Sequence, residues 1–217
     1  MPRAEETLTK KAYDTVADVY ADRFTATEPE QPVELAMIDH FAGLLHEPRR
    51  VLDAGCGAGR MLPYLAAQGC RPEGVDLSPE MVRRAQSDHP DYPCTVRSLT
   101  DLDYPDATFD GVFSWYSTIH NPDDDLDSMF AEMVRVLRPG GHLLVAFQVG
   151  DGMRRVGQGF AALGYDIVMN RYHRATPDMV ARLEAHGLEV TAQLERSPVP
   201  SESDPQAVVI ARRPQNG

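Results

Sequence analysis

The sequence lacks the features that mark several common classes. No apolar run approaches the ~18–20 residues that a membrane-spanning helix needs. Residues 1–11 are polar and carry no apolar segment of the kind that leads a chain to export. The three cysteines, Cys56, Cys70 and Cys94, are odd in number and not closely spaced, so no disulfide framework is expected. No Cys/His group has the spacing of zinc ligands, and no metal site is expected. Positive charge is short as well: 21 Lys and Arg stand against 33 Asp and Glu, a formal net charge of −12. That balance argues against nucleic acid, whose phosphates require a basic footprint. Internal repeats and low-complexity linkers are absent. These absences lead to the expectation of a cytoplasmic protein with a small-molecule partner and neither a membrane nor a nucleic-acid partner. They leave the oligomeric state open.

What is present suits one α/β domain with a real core. The chain has 217 residues, 42% hydrophobic and 25% charged, and is too short for two large domains. Its organising stretch is Val51-Leu52-Asp53-Ala54-Gly55-Cys56-Gly57-Ala58-Gly59-Arg60: a short buried strand, an acid at its tip, then glycines alternating with small residues. Helical spacing follows from Met61. A strand feeding a glycine turn and a helix start holds a nucleotide-like ligand close to bare backbone.

Taken in order, residues 10–24 and 33–45 carry apolar side chains at helical spacing, separated by Glu28-Pro29-Glu30-Gln31-Pro32. After the organising stretch, residues 71–76 form a second short strand ending in Asp76. Ser78-Pro79-Glu80 then supplies an N-cap, a proline in the first turn and an acid. Further strands are expected at residues 94–96 and 108–114. A helix opens on Asp123-Asp124-Asp125 with an apolar stripe from Leu126 to Leu137, is stopped by Pro139-Gly140-Gly141, and is followed by a strand at 142–147. Residues 150–164 read as a loop or short helix, and alternation from Tyr165 suggests an added strand or flap to His173. Thr176 is the expected N-cap of the next helix, Gly187 fits its C-cap, and two last strands lie at 188–194 and 207–211. Strands alternating with helices mean a mainly parallel, doubly wound sheet.

The turn is not a dinucleotide fingerprint, because Gly59 comes one residue early and Arg60 stands where G-x-G-x-x-G needs glycine. Asp53 beside the turn would also repel a pyrophosphate. No Gly-Lys-Ser/Thr follows, which excludes a P-loop. A ligand carrying positive charge suits the acid better.

Asp53-Ala54-Gly55-Cys56-Gly57-Ala58-Gly59 resembles the D-x-G-x-G-x-G signature of class I S-adenosylmethionine-dependent methyltransferases. Gly74-Val75-Asp76-Leu77-Ser78-Pro79-Glu80-Met81 resembles that family's second motif. Residues 98–102 with 106–110, and Arg135-Val136-Leu137-Arg138-Pro139-Gly140-Gly141, fall where it has later landmarks. The resemblance implies a Rossmann-like seven-stranded sheet with its last strand antiparallel. It also implies a helical cap (1–46), a cofactor-binding core (47–149), a flap after strand five (150–175) and a C-terminal core (176–217). It further implies S-adenosylmethionine as cofactor, with Gly55 and Gly57 close to the methionine part and Asp53 placing its ammonium. Asp76 would take the ribose hydroxyls, with a plain strand-end cap as the alternative, and Leu77 and Met81 would pack on adenine. Small Cys56 belongs to the same turn, and Ser98, Leu99 and Ser114 lie at strand ends around it. At Ser98 the chain departs from many relatives, which carry an acid near this point to bind the adenine amino group.

The acceptor side should follow the fourth strand, in Ser114-Trp115-Tyr116-Ser117-Thr118-Ile119-His120-Asn121-Pro122, which holds the single tryptophan of the chain. Trp115 and Tyr116 could wall the site and meet the sulfonium with their π-faces. His120 is the candidate general base, against a structural role in the turn. Tyr20, from the first helix, is the candidate roof over the cofactor, with Tyr13 beside it. Arg154, Arg155, Arg171, His173, Arg174 and Arg196 gather positive charge, and Arg171 and His173 are candidates for binding an anionic group on the substrate. The expected activity is methyl transfer to oxygen or nitrogen of a metabolite. Transfer to carbon of a quinone- or lipid-like ring, or cofactor binding without catalysis, are the alternatives.

Overall fold

The computed structural model describes residues 3–215. Its main sheet contains β1 (Arg50–Ala54), β2 (Arg71–Asp76), β3 (Cys94–Val96), β4 (Phe109–Trp115), β5 (Leu137–Gln148), β8 (Glu189–Arg196) and β9 (Gln206–Arg212). The order across it is β3-β2-β1-β4-β5-β9-β8. β1 to β5 pair in parallel, whereas β9, the last strand of the chain, runs antiparallel between β5 and β8. This is the doubly wound, mainly parallel sheet expected from the sequence, with its last strand reversed.

Successive residues of a strand point to opposite faces, so strands covered on both sides must be apolar throughout. Leu52, Val112, Leu143 and Val145 pack on one face against helix α5 (Asp123–Val136) and helix α6 (Thr176–Ala185). Val51, Phe113, Leu144 and Ala146 pack on the other against Ile38, Phe41 and Leu45, on and just after helix α2 (Pro32–Leu44). Chain direction across the sheet reverses between β1 and β4, and the carboxyl ends of these strands open a crevice there. Around it lie α3 (Leu62–Ala67) and α4 (Pro79–Asp88), with Ser78 accepting the Met81 N–H as the expected cap. Over it lies α1 (Ala4–Arg23), longer than its apolar spacing suggested.

Three boundaries differ from expectation. Helix α5 ends at Val136 and β5 begins at Leu137, so Pro139-Gly140-Gly141 lies inside the strand instead of ending the helix. The ladder with β4 slips between Phe109 and Gly111, and Gly140, at φ +81°, donates its N–H to Arg213; a bulge absorbs the residues that cannot pair regularly. Residues 150–164 hold the expected short helix, a 3-10 turn at Gln158–Leu163, but also an unexpected strand: β6 (Met153–Val156) pairs antiparallel with β7 (Met169–Tyr172). The exposed side chains of β6 gave no alternation to read. Ala175, not Thr176, is the N-cap of α6, because the Thr176 hydroxyl donates to Glu195 of β8 (2.5 Å).

Gly111 shows how tightly α2 sits on β4: a Cβ there would lie 2.8 Å from Phe41 Cζ and 2.9 Å from Leu45 Cδ1. Gly111→Ala is expected to destabilise the protein by about 1–3 kcal/mol through overpacking. An unchanged urea midpoint would show that α2 does not seat there.

Candidate functional site

The turn after β1 folds back on β2. Gly55 and Cys56 both donate their N–H groups to the Val75 carbonyl, at 2.8 and 2.9 Å. Gly55 has φ +89°, and a Cβ on it would lie 2.2 Å from Ser117 Cβ, so both dihedral and space demand glycine. Gly57, at φ +54°, has nothing within 4 Å of where a Cβ would be; that space is the crevice. Its N–H donates to Asp76 Oδ2 (2.9 Å), and Ser78 N–H donates to Oδ1 (2.8 Å). Each Asp76 oxygen thus keeps acceptor capacity for a ligand hydroxyl. Burial raises the Asp76 pKa, against the pull of these N–H groups.

Asp53 is 2% exposed, and among the described residues no hydrogen bond to its carboxylate is found. Burial pushes its pKa well above the ordinary carboxylate value. An unpartnered buried carboxylate costs stability unless something cationic meets it. Asp53 faces a cavity of about 560 Å³, within the range of small-ligand sites.

That cavity has two ends. Asp53, Gly55, Cys56, Gly57, Asp76, Leu77, Met81 and Leu99 line one, with Glu6, Thr9 and Lys10 of α1. Trp115, Tyr116, His120 and Gln148 line the other, with Arg171 of β7 and residues 201–204. Tyr13 and Tyr20 of α1 roof it, edge to face at 5.6 Å, and Phe160 lies parallel to Tyr20 at 6.4 Å.

Three expected residues do not line it. The Ser98 hydroxyl donates to Glu6 and lies 2.8 Å from Thr100 Oγ1, so the group presented to the cavity is the Glu6 carboxylate from α1. Ser114 is fully buried with its hydroxyl 2.7 Å from that of Ser117, which takes its place on the wall. His173 is buried behind Asp204, with Nε2 3.3 Å from Asp204 Oδ2 but out of line for a hydrogen bond. The expected basic patch is also largely spent internally. Arg154 pairs with Asp204 (2.6 Å), Arg174 with Asp123 (3.0 Å), and Arg196 with Glu202 (2.6 Å) and Glu34 (3.0 Å). Of the six cationic candidates, Arg171 alone lines the cavity, 3.7 Å from Asp204.

At the acceptor end, acids flanking the start of α2 hold the aromatic wall. Trp115 Nε1 donates to Glu30 (3.0 Å), which Arg60 grips with two bonds of 2.7 and 2.8 Å. Tyr116 has φ +56°, a conformation non-glycine residues seldom take, and its hydroxyl donates to Glu34 (3.1 Å). Burial and the Glu34 charge raise its pKa. His120 Nδ1 lies 2.6 Å from the Asn170 carbonyl, which can only accept, so Nδ1 carries the proton. Nε2 is then free to accept from the Tyr13 hydroxyl at 3.1 Å. Burial lowers the His120 pKa to about 4, leaving the ring neutral at physiological pH. Among the described residues, no group of three or more His, Cys, Asp or Glu could hold a metal ion.

A methyltransferase-domain family model matches residues 51–141, the span of the glycine turn and of Asp76. The chain is 32% identical over 187 residues to 27-O-demethylrifamycin SV methyltransferase of Amycolatopsis mediterranei, covering 70% of this chain and 66% of that protein. The chain belongs to the class I S-adenosylmethionine-dependent methyltransferases. It is also 30% identical over 125 residues to the malonyl-[acyl-carrier protein] O-methyltransferase of Pseudescherichia vulneris, covering 58% of this chain and 49% of that one. It therefore spans about half the length of such curated relatives. Among solved structures, the 1,6-didemethyltoxoflavin-N1-methyltransferase of Burkholderia thailandensis, with bound 1,6-didemethyltoxoflavin and S-adenosylhomocysteine, superposes with a TM-score of 0.67. The two are 23% identical, over 99% of this chain and 92% of that one. That likeness supports the fold.

The residues present fit this family's cofactor. The unpartnered Asp53 carboxylate suits its ammonium, the spare capacity of Asp76 suits its ribose, and Leu77, Met81 and Leu99 give an apolar wall for adenine. If Asp53 meets the ammonium, affinity for S-adenosylhomocysteine depends on its ionisation. Affinity should be full above the raised pKa of Asp53 and be lost as pH falls through it, at a higher pH than an ordinary carboxylate would give. Calorimetry against pH checks this: Asp53→Asn should bind more weakly and lose that part of the slope, and an identical slope would remove Asp53 from the ammonium site.

Proposed function

We propose that the protein transfers the methyl group of S-adenosylmethionine to an oxygen or nitrogen of a small-molecule acceptor. The observation that carries the reading is one cavity that joins the Asp53–Asp76 cradle to a neutral histidine whose Nε2 accepts from the Tyr13 hydroxyl. The cofactor supplies an electrophilic methyl group on a sulfonium, open to in-line displacement.

The chain has to orient the acceptor, keep water out and receive its proton. Trp115 and Tyr116 form a rigid wall, since their polar ends are tied to Glu30 and Glu34. Such fixed geometry lowers the barrier by presenting reactants already aligned. The roof of Tyr13, Tyr20 and Phe160 excludes solvent. An O–H or N–H becomes strongly acidic as its heavy atom bonds the methyl carbon, so a base of low pKa suffices. His120 is such a base: Nδ1–H is anchored on Asn170, and Nε2 accepts the proton through Tyr13, whose hydroxyl donates to Nε2 and can accept from the acceptor. The name of one curated relative marks O-methylation, which is compatible with this assignment.

Two measurements test the proposal. Calorimetry should show binding of S-adenosylmethionine and S-adenosylhomocysteine but not NADH. A metabolite library, carbon acceptors included, should then yield products heavier by one methyl; saturable cofactor binding without any methylated product would favour a binding protein.

The role of His120 has its own signature. Its neutral form is the active one, and its pKa is near 4 instead of 6.5, so kcat/KM should run flat through pH 6.5 and fall only toward pH 4. Stability follows the same titration: below 6.5 the unfolded chain binds a proton that native His120 refuses, so stability declines as pH drops from 6.5 toward 4. His120→Ala should lower kcat by about 10²-fold or more with cofactor affinity retained. An inflection near 6.5, or full activity of the variant, would rule His120 out as the base.

A further inference from the structure

Cys56 lies in the glycine turn, and Cys94 opens β3 in register with Gly74 of β2. A Cβ placed on Gly74 would be 2.6 Å from Cys56 Sγ and 3.2 Å from Cys94 Sγ. Both sulfurs therefore converge on one point, which stays open because residue 74 has no side chain. Leu62, Val82 and Ala85 enclose the pair in apolar surroundings, while Cys56 also borders the cofactor cavity. The third thiol, Cys70, sits in the cluster on the opposite face of the sheet, with its pKa pushed up to about 11 by burial. The neighbouring Cys56 thiol and the Gly74 backbone hold the Cys94 thiol below its usual pKa, which makes Cys94 the readier nucleophile.

We propose that Cys56 and Cys94 form a peroxide-oxidisable pair that closes to a disulfide across Gly74, directly behind the cofactor cradle. In the first step the Cys94 thiolate attacks one oxygen of hydrogen peroxide. The O–O bond breaks, water leaves after protonation, and the sulfur becomes a sulfenic acid. Cys56 then attacks that sulfur, the S–O bond breaks and a second water leaves. Two thiols lose two electrons and one peroxide becomes two waters. Peroxide enters through the cavity along Cys56, so a molecule seated over Gly55 and Gly57 blocks the route. The pairing of the two sulfurs rests on their geometry alone; the blocking rests on the cofactor reading given above.

The test treats the full chain with limiting hydrogen peroxide, alkylates remaining thiols under denaturing conditions, and maps peptides without reduction. The expected product has lost two hydrogens, carries a Cys56–Cys94 crosslink, leaves Cys70 alkylated, and reverts with dithiothreitol. Cys56→Ser and Cys94→Ser should each abolish the crosslink. Alkylation of both Cys56 and Cys94 after oxidation, or a disulfide involving Cys70, overturns the proposal. Saturating S-adenosylhomocysteine should slow crosslinking several-fold, and an equal rate with that ligand bound overturns the cavity route. If calorimetry shows that the ligand does not bind at all, the cofactor reading fails while the peptide map still decides the thiol pair.

Discussion

The site depends on a grip at the tip of β2. Val75 offers its carbonyl to two N–H groups of the glycine turn, and Asp76 offers its carboxylate to a third and to the N–H of the next helix cap. Four backbone donors are thereby fixed by two adjacent residues, and two loops from different βα units become one rigid surface. Because Asp76 is half-buried, breaking either bond would leave a partly desolvated group without a partner, which costs more than making the bond returns. The same bonds set the φ > 0 turn that brings bare backbone to the cavity. Asp53, one strand over, is left without such partners, so its charge is available to a ligand.

The roof is held in a different way. Helix α1 buries mainly small side chains, Ala12, Val16, Ala17 and Ala21, against β7, Ala58 and Met81. Small side chains bury little apolar area, so each contributes modestly. Ion pairs supplement them: Arg83 and Arg84 of α4 reach Asp18 and Asp22, but these acids are largely exposed and such pairs are worth little. Sheet strands with fully buried leucines and phenylalanines are secured far more strongly. The roof is therefore the part of the site whose contacts cost least to release.

Local chemistry was legible in the sequence, and contacts between distant segments were not. The glycine turn, Asp53, Asp76, the Ser78 cap and the aromatic segment after β4 all sit within short windows whose residue types state their backbone role. Ser98 does not line the cavity, and its hydroxyl is engaged by Glu6, 92 positions earlier. Ser114 points away because alternation along β4 buries it, and Ser117, past the strand end, lines the cavity instead. The functions of Glu30 and Glu34 were equally hidden: Glu30 lies in a proline-bounded stretch that reads as punctuation and Glu34 in the first turn of the next helix, yet they tie down Trp115 and Tyr116. The α5–β5 boundary slipped because Leu137 is apolar in both readings, and spacing cannot say whether such a residue ends a helix or begins a strand.

Charge is the clearest case of context reversing a local reading. Six cationic residues in an acidic chain read as an anion site, but the fold brings Asp204, Asp123, Glu34 and Glu202 to most of them. A guanidinium already paired with a carboxylate has little field left for a substrate anion. Instead, the pairs stiffen the scaffold: Arg196 sits on the same Glu34 oxygen that receives the Tyr116 hydroxyl, and Arg60 on the Glu30 that receives Trp115. Without those cations, two buried carboxylates would be left without charged partners, a costly arrangement that would loosen the wall. The basic residues thus act on the acceptor end from behind, by pairing with the acids that hold its aromatic wall in place.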